Sequence, residues 1–282
     1  MTSPNFSIID SSIKNGASTN HLLVVKASKD NLTYSILDTL QNMFVALGSW
    51  NCPTADDFSG FADLMENNKE NLSILKQDFG KTVVLLDTQV YTHMPDKLFL
   101  PDQAKKYLGF NHSFNSNENV HVDNISKISA KNIYWLPYDL EKFAAKTVSN
   151  FEYRHITTIL INAALSSMTG LQQMLVHFSG DRLDVLVTFE NTLKFCNSFI
   201  FHTAQDIIYY LLNVYKQLEL DPSTLLVLTG QIEQDSDAYR IIYKYIRNVS
   251  FVKMPEIYQY CNEIKELSPQ TYFSLFNTFR CV

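Results

Sequence analysis

The chain is expected to be an α/β protein made by duplicating one unit, giving two mixed sheets with flanking helices. Three observations predict this. A pattern of three apolar runs joined by tight turns occurs twice, an amphipathic helix follows each copy, and strand then alternates with helix.

The first copy begins at His21. His21–Ala27 is a short apolar run that reads as a strand buried on both faces. In Asn31–Leu37, Leu32, Tyr34 and Ile36 alternate with Thr33 and Ser35, the period of a strand. The turn Asp38–Asn42 leads to a third strand at Met43–Leu47, and the turn-like Lys29-Asp30-Asn31 makes the three an antiparallel meander. The second copy is Leu171–Phe178, a turn at Ser179-Gly180-Asp181, and Leu183, Val185 and Val187 alternating with Asp184 and Thr188. A turn at Glu190-Asn191 and a strand at Leu193–Phe201 complete it. Leu32 and Leu183 correspond at an offset of 183 − 32 = 151 residues, where Ser28 meets Ser179, Asp30 meets Asp181 and Phe44 meets Phe195.

Thr203 followed by Asp206 is a capping-box arrangement. Ile207, Ile208, Leu211, Leu212, Tyr215 and Leu218 then form a helical stripe that Asp221-Pro222 ends. In the first copy Asp56 and Asp57 precede the stripe Phe58, Phe61, Leu64 and Met65. Paired carboxylates there read as favourable charge at a helix start before they read as catalysts. In the second half Leu225–Thr229 is expected as a strand, Asp235–Asn248 as a helix, Ser250–Lys253 as a strand and Tyr272–Phe279 as a helix. The first half adds strands at Thr82–Asp87, Asn132–Leu136 and Tyr153–Thr157, with helices at Asp102–Leu108, Asp139–Val148 and Ile159–Met168. Asn111–Asn119 reads as a polar linker. The implied organisation is a mobile N-terminal arm at 1–20 (an edge strand at most), a first half at 21–169 with inserted material at about 81–124, and a second half at 170–282.

Composition excludes several classes. The net charge of −6, with no basic stripe, argues against a nucleic-acid partner. No apolar run approaches the roughly 20 residues that cross a bilayer, and the start lacks a signal-peptide pattern. Cys52, Cys196, Cys261 and Cys281 are too scattered for a CxxC pair or a disulfide framework, so a cytoplasmic protein is expected. His112 and His121, with Glu118 and Asp123 nearby, match no compact metal site. His93 reads as a strand terminus, and His155 and His202 have no evident carboxylate or nucleophile partner. No Walker-type, G-x-S-x-G or H-E-x-x-H motif occurs, and no metal or catalytic residue is assigned.

Two meanders, each followed by a helix and strand–helix alternation, resemble the actin-like ATPase (ribonuclease H-like) fold. Three segments look like an actin-like family of Bacteroidetes-type bacteria. They are HLLVVKASKDNLTYSILD at 21–38, DTQVYTHMPDKLF at 87–99, and AQDIIYYLLNVYKQLELDPSTLLVLTGQIEQDSDAYRIIYKYIRNVSF at 204–251. More distantly the chain is similar to the actin-like assembly protein of type IV pili. The resemblance implies nucleotide binding between two halves, with an acid followed by glycine at each phosphate turn and a Thr/Ser-Gly-Gly turn at the adenosine. Here Lys26 and Ser28 stand at the first turn's acid and glycine. His177 stands at the second turn's acid, and Gly180 survives there. Thr229-Gly230-Gln231 keeps one adenosine-turn glycine. Gly180, Thr229 and Gly230 are therefore the residues of a degenerate nucleotide cleft. The expectation is a non-catalytic interaction or scaffold module with no cofactor and an unknown protein partner. A weak ATP-binding protein or ATPase, using displaced acids such as Asp30, Asp87 or Asp181, is the alternative. Tyr209, Tyr210, Tyr239, Tyr243 and Tyr245 are candidates for the partner surface, with part of this set expected in the core.

Overall fold

The computed structural model describes residues 6–13, 16–51, 58, 72–113, 119–166 and 171–280. The expected helix at Asp56–Met65 lies outside these residues, apart from Phe58. The chain forms two compact units, one of residues 1–158 with 255–267 and one of 159–254 with 268–282.

The first unit is built on a mixed sheet. Its strands are β1 (Phe6–Ile9), β2 (His21–Ser28), β3 (Asn31–Asp38), β4 (Met43–Asn51), β5 (Lys81–Asp87) and β9 (Phe151–His155), in the order β1-β4-β3-β2-β5-β9. β2, β3 and β4 form the antiparallel meander, while β5 joins β2 in parallel. β15 (Gln259–Tyr260) adds in parallel to β4. The N-terminal segment takes its ordered alternative, since Phe6–Ile9 pairs with β4 from Ser49 to Ala46. Leu23, Val25, Leu32, Tyr34, Ile36, Val84 and Leu86 fill the core on one face of the sheet.

The second unit repeats the plan. Its strands are β10 (Gln173–Ser179), β11 (Arg182–Phe189), β12 (Thr192–Ile200), β13 (Leu225–Gly230) and β14 (Val249–Phe251), in the order β12-β11-β10-β13-β14. β13 lies parallel to β10, as β5 does to β2. The ends of β3 and β11, and the C-terminal ends of β2 and β10, correspond at the 151-residue offset. So does a bulge, which falls between Ile36 and Leu37 in one unit and Val187 and Thr188 in the other. The third strand departs from that offset. Ile36 pairs with Ala46 and Val187 with Phe195, so Ala46 rather than Phe44 is the counterpart of Phe195. The cause is the turn before it: Thr39–Asn42 is replaced by the two-residue Glu190-Asn191, whose φ values of 50° and 58° are those of a tight hairpin.

Among the helices, α1 spans Ala104–Gly109, α2 Tyr138–Thr147, α3 Ile156–Ser166, α4 Ala204–Gln217, α5 Asp237–Tyr245, α6 Asn262–Lys265 and α7 Phe273–Thr278. The capping box of α4 is formed: Thr203 Oγ1 accepts from Asp206 N, and the Asp206 carboxylate accepts from Thr203 N. The backbone amides of His202 and Thr203 both donate to the Asp206 carboxylate and hold it below its usual range. Ile207, Leu211 and Val214 of α4 pack on Val176, Val185 and Leu228.

A separate sheet of β6 (Tyr91–Pro95), β8 (Ala130–Leu136) and β7 (Asn119–Ile125) runs β6-β8-β7 in the first unit. It occupies 91–136 rather than the expected 81–124, because Lys81–Asp87 is a strand of the main sheet. One face of this small sheet is buried and polar. Asp123 Oδ1 accepts from Tyr134 Oη (3.0 Å), and its Oδ2 accepts from His155 N and Thr158 Oγ1 (both 2.8 Å). The carboxylate thereby caps the start of α3 from a strand more than thirty residues away. Asn132 Nδ2 donates to Thr157 and Thr158. His155 Nδ1 accepts from Thr157 N, and Nε2–H donates to the Thr88 carbonyl. His155 thus has polar partners, and its backbone amide donates to Asp123.

Two groups here titrate in opposite senses. Burial pushes Asp123 up to about 6 from 3.8, so between those values the folded state holds more protons and stability falls as pH rises. Burial pushes His93 down to about 4 from 6.5, so across that window the unfolded state holds more protons and stability rises with pH. Asp123→Asn removes only the first effect. Urea unfolding of this variant between pH 4 and 6 is expected to gain stability more steeply than the wild type, by up to about 1.4 kcal/mol per pH unit. Equal slopes for the two proteins would refute this.

Candidate functional site

The three residues assigned to a nucleotide turn meet at one end of the β10–β13 pair. In that parallel register His177 lies beside Thr229 and Phe178 beside Gly230. Gly180 opens the two-residue turn into β11 at φ 57°, a conformation that costs an L side chain but not glycine. Gly230 sits at φ 87°, and a Cβ there would stand 2.1 Å from the Phe178 carbonyl oxygen. The strands approach this closely only because that position is glycine.

The polar groups of these turns are already engaged by the chain itself. Gly180 N–H donates to Gln231 Oε1 at 2.8 Å, and Gln231 N donates to the Phe178 carbonyl at 2.9 Å. Gln231 follows Gly230, where the resemblance leads one to expect a second glycine, and its side chain reaches back to the turn amide of Gly180. The carbonyl of Gln270 accepts from both Gly230 N (2.8 Å) and Thr229 Oγ1 (3.0 Å). Gln270 Nε2 also donates to the Ile232 carbonyl, which fastens the segment before α7 over the turn.

A buried polar row crosses each sheet just inside the turn. In the second unit it runs Ser198, Asp184, His177 and Thr229 across β12, β11, β10 and β13. Asp184 is fully buried and neutralised on its own strand. Arg182 Nε lies 3.1 Å from Oδ1 and Nη2 lies 2.9 Å from Oδ2, a two-pronged guanidinium–carboxylate pair, and Ser198 Oγ adds a further bond. In the first unit the row runs Ser49, Thr33 and Lys26. Lys26 Nζ lies 3.7 Å from Oδ2 of Asp87, which ends β5, and both residues are buried. Of the displaced acids considered from sequence, Asp87 is therefore ion-paired with Lys26, and Asp30 accepts from Ser28 Oγ within its own turn at 2.9 Å. Asp181 shares the hairpin turn with Gly180, and its carbonyl accepts from Phe201 N.

The Arg182–Asp184 pair had a signal in the sequence, opposite charges two apart on an alternating strand, which share a face. The role of Gln231 had none, since it depends on a contact across 51 positions. His112 and His121 do not converge on a ligand. His112 Nε2 donates to the Tyr91 carbonyl, and His121 packs edge-on against Tyr153. Among the described residues no group of His, Cys, Asp or Glu is arranged to hold a metal ion.

A family model described as "Protein of unknown function (DUF3822)" matches residues 10–249. The chain belongs to this family. No curated protein matches it. Among solved structures, this DUF3822 chain is similar to a Bacteroides thetaiotaomicron protein described as having an actin-like ATPase fold and unknown function. The TM-score is 0.73 and the identity 22%, over 83% of this chain and 91% of that one. The PilM–PilN type IV pilus biogenesis complex is similar at TM-score 0.61 and 10% identity, covering 93% and 98%. The ethanolamine utilization protein EutJ of Carboxydothermus hydrogenoformans is similar at 0.52 and 9%, covering 95% and 94%. The DUF3822 chain has the actin-like ATPase fold. No helix among its described residues is long and apolar enough to cross a membrane.

Truncating one member of the buried pair leaves the other charge uncompensated. Arg182→Met is expected to cost roughly 3–5 kcal/mol in chemical unfolding, whereas Arg182→Met with Asp184→Leu should recover most of that loss. Additive costs in the double variant would contradict the pairing.

Proposed function

We propose that this DUF3822 protein is a non-catalytic actin-like module of the cytoplasm that works by binding another protein, its nucleotide turns having lost their ligand. The observation that carries the reading is the Gln231–Gly180 bond. The amide that would meet a phosphate is already satisfied, by the residue standing in place of a glycine. The charges support it. Holding Mg²⁺ at a nucleotide takes a carboxylate free to turn toward the ion or its water shell. Asp184 is committed to Arg182, and Asp87 to Lys26. Lys26 and His177 supply no oxygen ligand where acids would stand. The scattered cysteines support the cytoplasmic assignment. Likeness to a protein solved as part of the PilM–PilN complex supports a partner-binding role for the fold.

Thermal unfolding with and without ATP and Mg²⁺ tests the proposal. A ligand that binds only the folded state, at a hundred times its Kd, adds about 2.7 kcal/mol. The expected result is no magnesium-dependent rise at millimolar ATP. A clear rise would favour a weak ATP-binding protein using displaced acids, and would end the ligand-free reading.

A further inference from the structure

A second feature of the fold lies at the carboxyl ends of α4 and α5, which pack against each other in the second unit. α4 stops in a turn with Glu219 at φ 50°. Leu220 N–H donates to the Tyr215 carbonyl and Glu219 N–H to that of Lys216, the paired bonds of a Schellman ending. The turn buries Leu220 and carries the chain outward to Pro222. Beside it α5 ends at Tyr245. Between them is a groove of about 580 Å³ lined by Leu212, Leu220, Pro222 and Tyr245, with Lys216 and Arg247 among its polar members and Glu219 its one carboxylate. Leu212 is 41% exposed and Tyr245 54% exposed, so the apolar lining faces solvent. On the same two helices Tyr209 and Tyr243 are exposed as well, at 67% and 60%.

Charge selects the occupant. In a chain of net charge −6, the exposed Lys216 and Arg247 flank this groove, and neither has a carboxylate within 4.0 Å among the described residues. Lys216 lies in the last turn of α4, where a cation is favourable for the helix alone. Arg247 lies two residues beyond the end of α5. A guanidinium beside tyrosine and leucine surface is the usual composition of a protein-binding patch, and its planar fork matches a carboxylate.

We propose that this groove docks a short acidic segment of another protein, an apolar side chain entering between Leu212 and Tyr245 while its carboxylates meet Arg247 and Lys216. The proposal rests on the interaction-module reading and names the partner's chemistry. The occupant is met as an extended or helical segment, because the lining is a groove between two helix ends rather than a sheet edge.

The test uses the full chain and two fluorescein-labelled peptides, one combining Leu and Trp with Asp and Glu, the other the same peptide with Lys at every acidic position. Fluorescence anisotropy should show the acidic peptide binding at least about tenfold more tightly than the basic one. Arg247→Glu should weaken the acidic peptide about tenfold or more and narrow the gap to the basic one, and Leu212→Asp should abolish binding of both. Arg247 is exposed, so its variant should keep the wild-type unfolding midpoint. Three results overturn the docking site: equal binding of the two peptides, no binding of the acidic peptide at millimolar concentration, or acidic-peptide affinity unchanged in Arg247→Glu. It is also overturned if Arg247→Glu instead abolishes self-association of the chain, or its capture by vesicles of anionic lipid. A magnesium-dependent response to ATP alongside intact peptide binding would defeat the ligand-free reading and leave the groove standing.

Discussion

Parallel pairing of the strand that opens each meander, β2 with β5 and β10 with β13, governs how the rest of this molecule is arranged. A hairpin needs only a local turn. A parallel neighbour needs a crossover that returns the chain along the sheet. The crossover places β2 and β10 at the centre of their sheets, with a strand on either side, and nearly every residue of both is buried. A polar side chain on such a strand has no water to turn to. Lys26 and His177 are such residues, and their surroundings carry the consequence.

The two units meet it differently. In the first, the cation is on β2 and its carboxylate is Asp87, supplied by the parallel neighbour. In the second, charge is balanced within β11 by Arg182 and Asp184, while His177 lies between Asp184 and Thr229 in the same row. The main chain at the turn obeys the same logic. Gly230 lets β10 and β13 close on each other and Gly180 turns the chain into β11, while Gln231 and Gln270 give partners to the amides and hydroxyl there.

How much could be read from the sequence depends on the range of the forces concerned. Alternation in Asn31–Leu37 and Leu183–Val187, the Thr203–Asp206 box and the stripe on α4 are local, and the structure contains them at nearly the expected positions. The strand Asn119–Ile125 was not legible. Its buried face carries His121 and Asp123, whose stability there depends on Tyr134, Tyr153, His155 and Thr158, all distant along the chain. The slip of two residues in the third strand of the second copy was hidden for a related reason. Phe44 and Phe195 match as letters, and only pairing with the neighbouring strand shows that a shorter turn has moved the register. At the candidate site, Gly180, Thr229 and Gly230 were legible as a group. Their partner Gln231 was legible only as an absent glycine.

Gln231 gives the amide of the β10–β11 turn a partner from within the chain. A polar group that is buried without a partner costs about 1–3 kcal/mol. Here the donor at Gly180 keeps a partner, and the acids near the turns keep cations within bonding distance. A magnesium–nucleotide complex entering this arrangement must displace a glutamine from an amide and a guanidinium or ammonium from a carboxylate. The carboxylates of Asp87 and Asp184 are buried, so freeing either opens a buried charge before any new bond forms, whereas the Gly180–Gln231 bond is exposed. The turns are thus held by packing and by the chain's own side chains. The α4–α5 face, with tyrosines and leucine open to solvent beside an arginine that has no carboxylate partner among the described residues, is the part of the surface that folding alone explains least.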